Sequence, residues 1–488
     1  WKEQLQAGIT GDKDPGEAFF RNKQRAGFDF YAAYLQVRTK GLLHTLVLGD
    51  YTINIGQGLI HRQGMSFGKS AVVTQIKAGG PMLRAHTAAG EYFFHRGAGV
   101  LLHYRKWQLC GFISLRKLSG STVFDSTVHS LVLRSVNQSG LYRTQAELAQ
   151  RNSFRQSMAG LSVRYQRGSL QVGLNAVAAA FSTPVHRNPE PYNRFAMQGR
   201  TWVNYSTDYS YTAGNLHVFG EIAACSGTAL AQLHGLLITA DKSVDVALLV
   251  RLLSPDYQSI FGNAFTENTL PSNEQGIYTG ILVRPSAAWK LSAYADIFRF
   301  PWLRYRSDSP GGGTDFLLQV TYTPRRNAEC TFRLHIEQKQ QNGEGSLLHS
   351  QEMVVRKGMR LHLVHPFSKS LTLRSRCELS VYKRPDQLPE TGLLLFTELL
   401  YKPMLSPLSL TGRLQFVSTQ GYDARIYAYE NDLPYKYSIP AAAGEFFRCY
   451  VLATVKMNRA LRLSAKLGCA IAKGGTQTDI GLQTSLFW

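Results

Sequence analysis

The chain ends in Gly481-Leu482-Gln483-Thr484-Ser485-Leu486-Phe487-Trp488, a stretch in which apolar and polar side chains alternate up to a terminal aromatic. Ile480, Leu482, Leu486 and Trp488 share one parity, which also holds a single threonine. Because successive side chains of a β-strand point to opposite faces, this alternation predicts a closing strand with one apolar face. The last strand of a soluble β-protein would show the same pattern, so the rest of the chain has to decide.

Four interior segments alternate in the same way, at residues 243–253, 328–337, 370–382 and 460–471. Each places aliphatic side chains on one parity and charged or polar side chains on the other. Strands of soluble sheets are usually about five or six residues long, and these segments are about twice that length. Long strands with charges in the middle of one face are typical of a wall between lipid and a polar lumen.

Short and long connections separate these segments. Short turns are predicted at 167–168, 212–214, 240–242, 285–286, 324–327, 366–368 and 458–459. Long polar loops are predicted at 55–96, 119–156, 182–199, 254–275, 299–314, 341–355 and 420–445. Such an arrangement predicts one all-β domain over residues 1–488: a transmembrane, antiparallel outer-membrane β-barrel of about 22 strands (about 20–24) with short periplasmic turns and long extracellular loops.

Further consequences follow from the barrel prediction. The first strand is placed at residues 3–10 and the last at 477–488, so both termini lie on the periplasmic side. We expect the barrel to close, because a sheet edge in lipid leaves backbone groups unpaired. No run of 18 apolar residues is present, which excludes a helical membrane protein. The chain opens at Trp1 without a signal peptide, and we expect it to be a processed or trimmed product.

In a barrel context, the C-terminal stretch resembles the signal that outer-membrane proteins present to the barrel-assembly machinery. The residues that carry this resemblance are Gly481, Leu482, Leu486, Phe487 and Trp488. It implies insertion into a bacterial outer membrane, with membrane lipid and lipopolysaccharide as surroundings. Assembly machinery would be a transient partner.

The charge balance is strongly basic: 54 Lys and Arg against 33 Asp and Glu give a net charge of +21. Strand parity points nine of the basic side chains inward: Arg164, Arg251, Lys290, Arg333, Arg374, Arg376, Arg413, Arg462 and Lys466. Acids on the same parity could neutralise some of them: Asp245, Asp296, Glu329, Glu337 and Glu378. An anion-selecting lumen and a set of Arg–carboxylate pairs bracing the wall are both compatible with this pattern.

No metal, cofactor or catalytic site is predicted. The six cysteines form no CxxC motif; Cys449 and Cys469 lie across a tight turn and could pair, although chance placement toward lipid is favoured. Residues 64–70 superficially resemble a phosphate-binding loop, but only three residues separate Gly64 from the Gly-Lys pair, where that loop has four. No potential nucleophile accompanies His335 on its predicted strand face, so we expect His335 to line the pore and the protein not to be an enzyme.

Several loop motifs resemble the barrel region of a Bacteroidota outer-membrane family that is named for an N-terminal helix-hairpin-helix segment. The motifs are residues 11–17 with 27–30, 48–51 with 56–59 and 67–70, 140–144, 263–267 with 273–276, and 427–432 with 438–440. The resemblance spans nearly the whole chain and implies a barrel in the outer membrane, without a settled activity. The helix-hairpin-helix segment itself is not in this chain.

Two functions remain open at this stage. One is a transport channel with an electropositive lumen for an anionic solute or polymer, conceivably nucleic acid, obstructed at rest by a partner or by loops 55–96, 119–156 and 420–445. The alternative is a structural, assembly or secretion-complex subunit that docks partner proteins through its long loops. The Arg- and aromatic-rich segment 299–306 fits an interfacial girdle better than a nucleic-acid platform.

Overall fold

The computed structural model describes residues 4–14, 16–17, 20, 27–64, 68–88, 90–126, 128–225, 227, 229–343, 350–434, 436 and 439–486. Phe487 and Trp488 of the predicted assembly signal lie outside the described residues, as do residues 65–67 and parts of the motifs at 11–17 and 438–440.

The described residues form 27 β-strands, the short helix α1 (Gln145–Gln150) and a 3-10 turn at Pro191–Asn193. The first eleven strands are β1 Leu5–Asp12, β2 Phe30–Arg38, β3 Leu43–Ile53, β4 Leu83–Ala85, β5 His95–Tyr104, β6 Trp107–Leu118, β7 Gly120–Asp125, β8 Ser130–Val136, β9 Phe154–Arg167, β10 Leu170–Val185 and β11 Gly199–Ala213. The next eight are β12 Leu216–Cys225, β13 Leu230–Asp241, β14 Val244–Leu253, β15 Glu274–Ser286, β16 Trp289–Phe300, β17 Gly311–Arg325, β18 Ala328–Asn342 and β19 Gln351–Pro366. The last eight are β20 Leu371–Lys383, β21 Glu390–Tyr401, β22 Leu408–Thr419, β23 Ile426–Tyr427, β24 Ala441–Ala442, β25 Glu445–Lys456, β26 Leu461–Ala472 and β27 Gly475–Leu486.

Twenty-two of these strands follow one another around a single antiparallel sheet, from β1 to β27, in the order of the chain. The other five are short: β4, β7 and β8 extend the sheet at its loop end, and β23 pairs with β24 inside the loop at 420–444. The all-β antiparallel barrel of about 22 strands is therefore confirmed. The predicted loop at 119–156 contains the β7–β8 hairpin and α1. Within the described ranges, no helix has the length and apolar character needed to cross a membrane.

The two faces of the sheet differ as period-two alternation predicts. In β14, Leu248 and Leu252 are exposed on the outer face, whereas Ala247, Leu249 and Arg251 are buried on the inner face. Exposed Leu, Ile and Phe side chains recur on the outer parity of the other strands. A mainly apolar outer surface over a polar inner one is the arrangement that a bilayer requires of a barrel.

The expected closure of the barrel differs from what the structure records. No backbone ladder joins β1 to β27 in the part of the chain that the structure describes. Side chains of the loop at 420–444 lie against both strands: Lys436 is 3.7 Å from Asp12 of β1, and Leu433 lies beside Gly481 of β27. We call this gap between β1 and β27 the seam. Outer-face side chains beside it are strongly exposed, and Ile480 is 73% exposed.

The interior of the barrel is packed by loops that fold inward from the loop end. A small buried cluster joins Ile426, Ala428 and Ala442 of the loop at 420–444 to Leu394, Phe396 and Val417 of β21 and β22. A larger one involves the described residues of 54–94 (the first inward loop, between β3 and β5) and residues 254–273 (the second inward loop, between β14 and β15). Their apolar side chains form one buried cluster with the inner faces of the wall strands, including Ile55, Leu59, Val73, Phe261 and the wall residue Phe219. The large hydrophobic core of this chain thus lies within the lumen, where a barrel of this size has room for it.

The two-faced wall predicts different responses to a new charge on neighbouring positions of one strand. Leu318 in the middle of β17 is exposed on the outer face, and Thr321 is half-buried on the inner face. Leu318→Arg should destabilise the barrel by about 2–4 kcal/mol in lipid vesicles, because the guanidinium enters hydrocarbon. Thr321→Arg should cost clearly less. Urea unfolding in vesicles, followed by the heat-modifiable gel shift, measures both, and equal costs would contradict the assignment of the faces.

Candidate functional site

The tip of the first inward loop is held by one buried carboxylate. The backbone N–H groups of Gln57 and Leu59 donate to Glu221 Oε2 at 2.6 and 3.0 Å, and Glu221 has no exposed surface. Gly56 and Gly58 flank this contact with positive φ angles. A Cβ on Gly56 would lie 2.6 Å from the Glu221 side chain, and one on Gly58 would lie 2.6 Å from the Asn263 carbonyl oxygen. Glycines are thus required at positions 56 and 58, because the backbone of the first inward loop lies too close to the wall and to the second inward loop to leave room for side chains.

The second inward loop holds the first by main-chain contacts. The Asn263 N–H donates to the Gly58 carbonyl at 2.9 Å, and the Tyr257 and Ser259 hydroxyls donate to the carbonyls of Leu59 and Ile60. Two of the motifs that carried the family resemblance, around residues 56–59 and 263–267, therefore meet in space. Most of these partners are more than 160 residues apart in sequence.

A cluster of ionised groups holds the first inward loop at Lys69. Lys69 Nζ lies 2.9 Å from carboxylate oxygens of both Asp296 and Asp315 on the wall, and it also pairs with Glu267 of the second loop. Around it, Arg251 pairs with Asp296 and Glu274, Lys339 pairs with Glu267 and Glu337, and His335 lies 2.7 Å from Asp315. The lysine of the rejected phosphate-binding resemblance is thus a structural ion-pair partner.

The protonation states of the loop groups are consistent with this role. Burial alone would lower the pKa of Lys69, but Glu267, Asp315 and Asp296 raise it above its ordinary value. Burial alone would raise the pKa of Glu267, but Lys69 and Lys339 hold it below its ordinary value. Since both groups favour their charged forms, the ion pairs persist at neutral pH.

A pair of buried histidines lies between the loop and the wall. His61 Nε2 and His95 Nε2 are 2.9 Å apart, the rings are stacked at 4.9 Å, and neither residue is exposed. Burial lowers the pKa of His61 to about 3, so the ring is neutral at physiological pH. The pair is an aromatic and hydrogen-bonded packing element, surrounded by Phe112 and Phe261.

A second group of charges lines the inner face of β18 to β22, and described residues of the loop at 420–444 pack against its β21–β22 end, where Arg413 donates to the Tyr429 carbonyl and Asn431 donates to Glu398. Five of the six arginines on this face form what we call the arginine strip: Arg333, Arg360, Arg374, Arg376 and Arg413. The sixth, Arg356, donates to the Asp423 carbonyl. Glu378 accepts from Arg360 at 2.7 and 2.8 Å, and Glu398 accepts from Arg413 at 2.8 and 3.0 Å. The Arg360 and Arg374 side chains are 21% and 39% exposed, whereas Arg413 is 3% exposed.

Six of the nine basic residues predicted to face the lumen have a carboxylate within ion-pair distance: Arg164, Arg251, Arg374, Arg376, Arg413 and Lys466. Arg333 donates to Gln319 at 3.0 Å. Arg462 is half-buried at the start of β26, and Lys290 is exposed near the turn end of β16. The structure places these residues in separate groups around the wall and does not unite them in one site.

The remaining predicted features are also located. Cys449 and Cys469 are directly opposite on β25 and β26, and both are free thiols. Glu337 pairs with Lys339, and Glu329 accepts from Thr331. In segment 299–306, Arg304 stacks over Phe300 at 3.5 Å and Trp302 donates to the Pro191 carbonyl. The segment is thus tied to its neighbours at the loop end of the wall.

Strand parity did not identify several residues of these groups. Glu221, Lys69 and Glu267 lie in or opposite loops, whose inward folding has no periodic signal. Arg360 could have been found, because Met359, Leu361 and Leu363 alternate with it and mark its parity as the inner one. Glu398, which joins Arg374 and Arg413, has the same signal between Leu399 and Thr397.

The sequence matches no protein-family profile and no curated relative. Among solved structures, the chain is similar to the FrpB iron transporter from Neisseria meningitidis (F3-3 variant), at a TM-score of 0.45 and 10% identity over 94% of this chain and 79% of that one. It is also similar to the ferripyoverdine receptor of the outer membrane of Pseudomonas aeruginosa, at a TM-score of 0.41 and 9% identity over 93% of this chain. A third similar structure is Acinetobacter baumannii OccAB4, at a TM-score of 0.33 and 10% identity over 78% of this chain and 98% of that one. The chain spans 64% of the length of the ferripyoverdine receptor, less than two thirds.

The contact at Gly58 predicts how the first inward loop can be loosened. Gly58→Ala combines a left-handed backbone with a clash against the Asn263 carbonyl, whereas Gly68→Ala has a positive φ with nothing within 4 Å. Both changes carry the left-handed penalty of about 1–2 kcal/mol, and only Gly58→Ala adds the clash. We expect trypsin to cleave residues 54–94 at a lower urea concentration in Gly58→Ala. Equal protection of the two variants would show that the loop is not seated against residue 263.

Proposed function

We propose that the protein is an outer-membrane β-barrel channel in which one sector of the lumen is filled by residues 54–94 and 254–273. Small anionic solutes would pass along the arginine strip, whose Arg360 and Arg374 side chains are partly exposed, although the loop at 420–444 covers Arg413. The observation that carries this proposal is the uncompensated positive charge of the strip. Its five guanidinium groups face three nearby carboxylates, those of Glu329, Glu378 and Glu398.

The arrangement of the strip is not what wall stability alone would favour. Arg333 and Arg360 are direct cross-strand partners, and like charges in that position destabilise a sheet. By contrast, Arg251 in the packed sector is fully buried between two carboxylates. Partly exposed arginines that are in excess over acids attract anions and lower the barrier to their entry.

The packed loops limit what could pass. Residues 54–94 and 254–273 are joined to the wall by buried hydrogen bonds, ion pairs and an apolar core, so they resist displacement. A single small solute fits this arrangement better than a polymer such as nucleic acid. The motif resemblance to the Bacteroidota family is compatible with this function, and we propose that membership on those residues.

The channel proposal predicts a change of ion selectivity on removal of strip charges. Arg374→Gln with Arg376→Gln should reduce the anion-to-cation permeability ratio by about twofold or more, since two partly exposed positive charges leave the path. Arg413 is left unchanged because it also donates to the Tyr429 carbonyl and is buried. Reversal potentials of the purified protein in planar bilayers under a salt gradient give the ratio.

The matched control is Lys242→Gln with Arg459→Gln, which removes two charges from exposed turns. It should leave the ratio near that of the unaltered protein. Selectivity that responds equally to both double variants would mean that overall charge, and not the strip, sets it. A complete lack of conductance would contradict the channel.

A second candidate function is an assembly or secretion-complex subunit, and the seam between β1 and β27 favours it. Edge strands accept a further strand from another chain by backbone pairing. A photo-crosslinking amino acid at Ile480, beside the seam, should then capture a partner protein in intact cells. The same probe at Leu414, on the outer face within the sheet, should not. Absence of any adduct at Ile480 would remove this candidate.

A further inference from the structure

An acidic cluster lies at the loop end of the barrel, although the chain as a whole is strongly basic. One oxygen each from Asp14, Asp29 and Glu91 lie within 4.8 Å of one another. These residues come from the loop after β1, the end of that loop before β2, and the loop before β5. Glu17 is adjacent and buried, and its carboxylate accepts from the Tyr142 N–H at 2.6 Å.

Asp29 is the most unusual member of the cluster. Both of its carboxylate oxygens are shut off from solvent, and the groups that approach them are its own backbone N–H and the carboxyl groups of Glu17 and Glu91. A buried carboxylate is normally paired with a cation or bound to a metal, and Asp29 is surrounded by other acids instead. Its carboxylate points toward the oxygens of Asp14 and Glu91.

The neighbouring cations do not satisfy this need. Arg151 donates to the main-chain carbonyl of Asp29 at 2.8 Å, and Arg116 donates to the main-chain carbonyl of Glu91 at 2.8 Å. Lys436 approaches Asp14 on the other side, at 3.5 Å. The guanidinium groups thus position the two backbones and leave the acidic side chains facing each other.

The electrostatics of the cluster agree with its geometry. Burial, together with Glu17, raises the pKa of Asp29 to about 6. Burial and the charge of Asp29 raise the pKa of Glu91 to about 9. Without a counter-ion, the folded loops favour protonated carboxyls, so the stability that these groups contribute falls as the pH rises from about 4 toward 9.

The ligand type and the irregular arrangement favour one ion. Ca²⁺ takes carboxylate oxygens at about 2.3–2.6 Å in flexible geometry, whereas Mg²⁺ demands near-ideal octahedral geometry at about 2.0–2.1 Å and usually keeps several water ligands. A cavity of about 470 Å³ lined by Asp29 and Glu91 leaves room for water ligands. We propose that Asp14, Asp29 and Glu91 form a calcium site that joins the first extracellular loop to the loop before β5.

Calcium titration of the purified, detergent-solubilised full chain tests the proposal after treatment with EDTA. The unaltered protein should bind one Ca²⁺ in calorimetry, more tightly than Mg²⁺, and more tightly at pH 8 than at pH 5.5 because the carboxyls must ionise. Asp29→Asn and Glu91→Gln should each weaken binding at least tenfold. Glu190→Gln, an exposed acid on another loop, should bind as the unaltered protein does.

Limited proteolysis separates a metal site from a cluster of shared protons. If calcium occupies the site, it should protect residues 13–29 from cleavage in the unaltered protein and in Glu190→Gln, and have no effect in Glu91→Gln. Glu91→Gln should itself be at least as protected as the unaltered protein in EDTA, because a carboxyl group whose ionised form is disfavoured by burial and by Asp29 is replaced by a neutral amide. No calcium binding above that of Asp29→Asn, or equal protection with and without calcium, would overturn the proposal. The heat-modifiable gel shift verifies that every variant is folded.

Discussion

Every backbone N–H and C=O group that faces hydrocarbon has to find its partner inside the protein, and this constraint organises the whole chain. The 22 strands from β1 to β27 meet it by sequential antiparallel pairing. Within the lumen, the loop backbones meet a similar requirement through side chains: Glu221, Tyr257 and Ser259 serve the amides and carbonyls of residues 57–60. At the seam between β1 and β27 the described residues show no backbone ladder, and Lys436 and Leu433 of the loop at 420–444 lie against the two strands.

The wall was largely predictable from sequence, because period-two alternation and turn spacing are local signals. The opposite parities of Leu248 and Arg251, for example, assign them to opposite faces of the sheet without information from any other segment. The filling of the lumen was predictable only in outline. Loop length and the width of a barrel of about 22 strands indicate that something must occupy the interior. Which residues do so depends on contacts such as Lys69 with Asp296 and Asp315, which join parts of the chain that no local pattern connects.

Of the sequence signals, the charge of the side chains predicted the structure least well. A net charge of +21 and nine inward basic residues were compatible both with an anion-selecting lumen and with Arg–carboxylate pairs that brace the wall. The structure shows different charge arrangements on different parts of the inner face. Around Lys69, acids outnumber bases, and Lys69 and Arg251 are enclosed. Along the arginine strip the bases are in excess, and Arg360 and Arg374 are partly exposed. Parity tells which way a side chain points, but only the arrangement of neighbours tells whether its charge remains available to a solute.

The inward loops also constrain the order in which the molecule can form. Residues 54–94 are synthesised and exported before the wall strands that hold them, and the Tyr278 hydroxyl meets the Val73 carbonyl across 205 positions of sequence. Contacts of such long range carry a large loop-closure cost and form late. The first loop must therefore wait, with its apolar residues Leu59, Val73 and Ile76 exposed, until β12 to β17 have curved around it. This topology therefore predicts a long-lived open-barrel intermediate, in which the apolar residues of the first loop need shielding from water until the wall has formed.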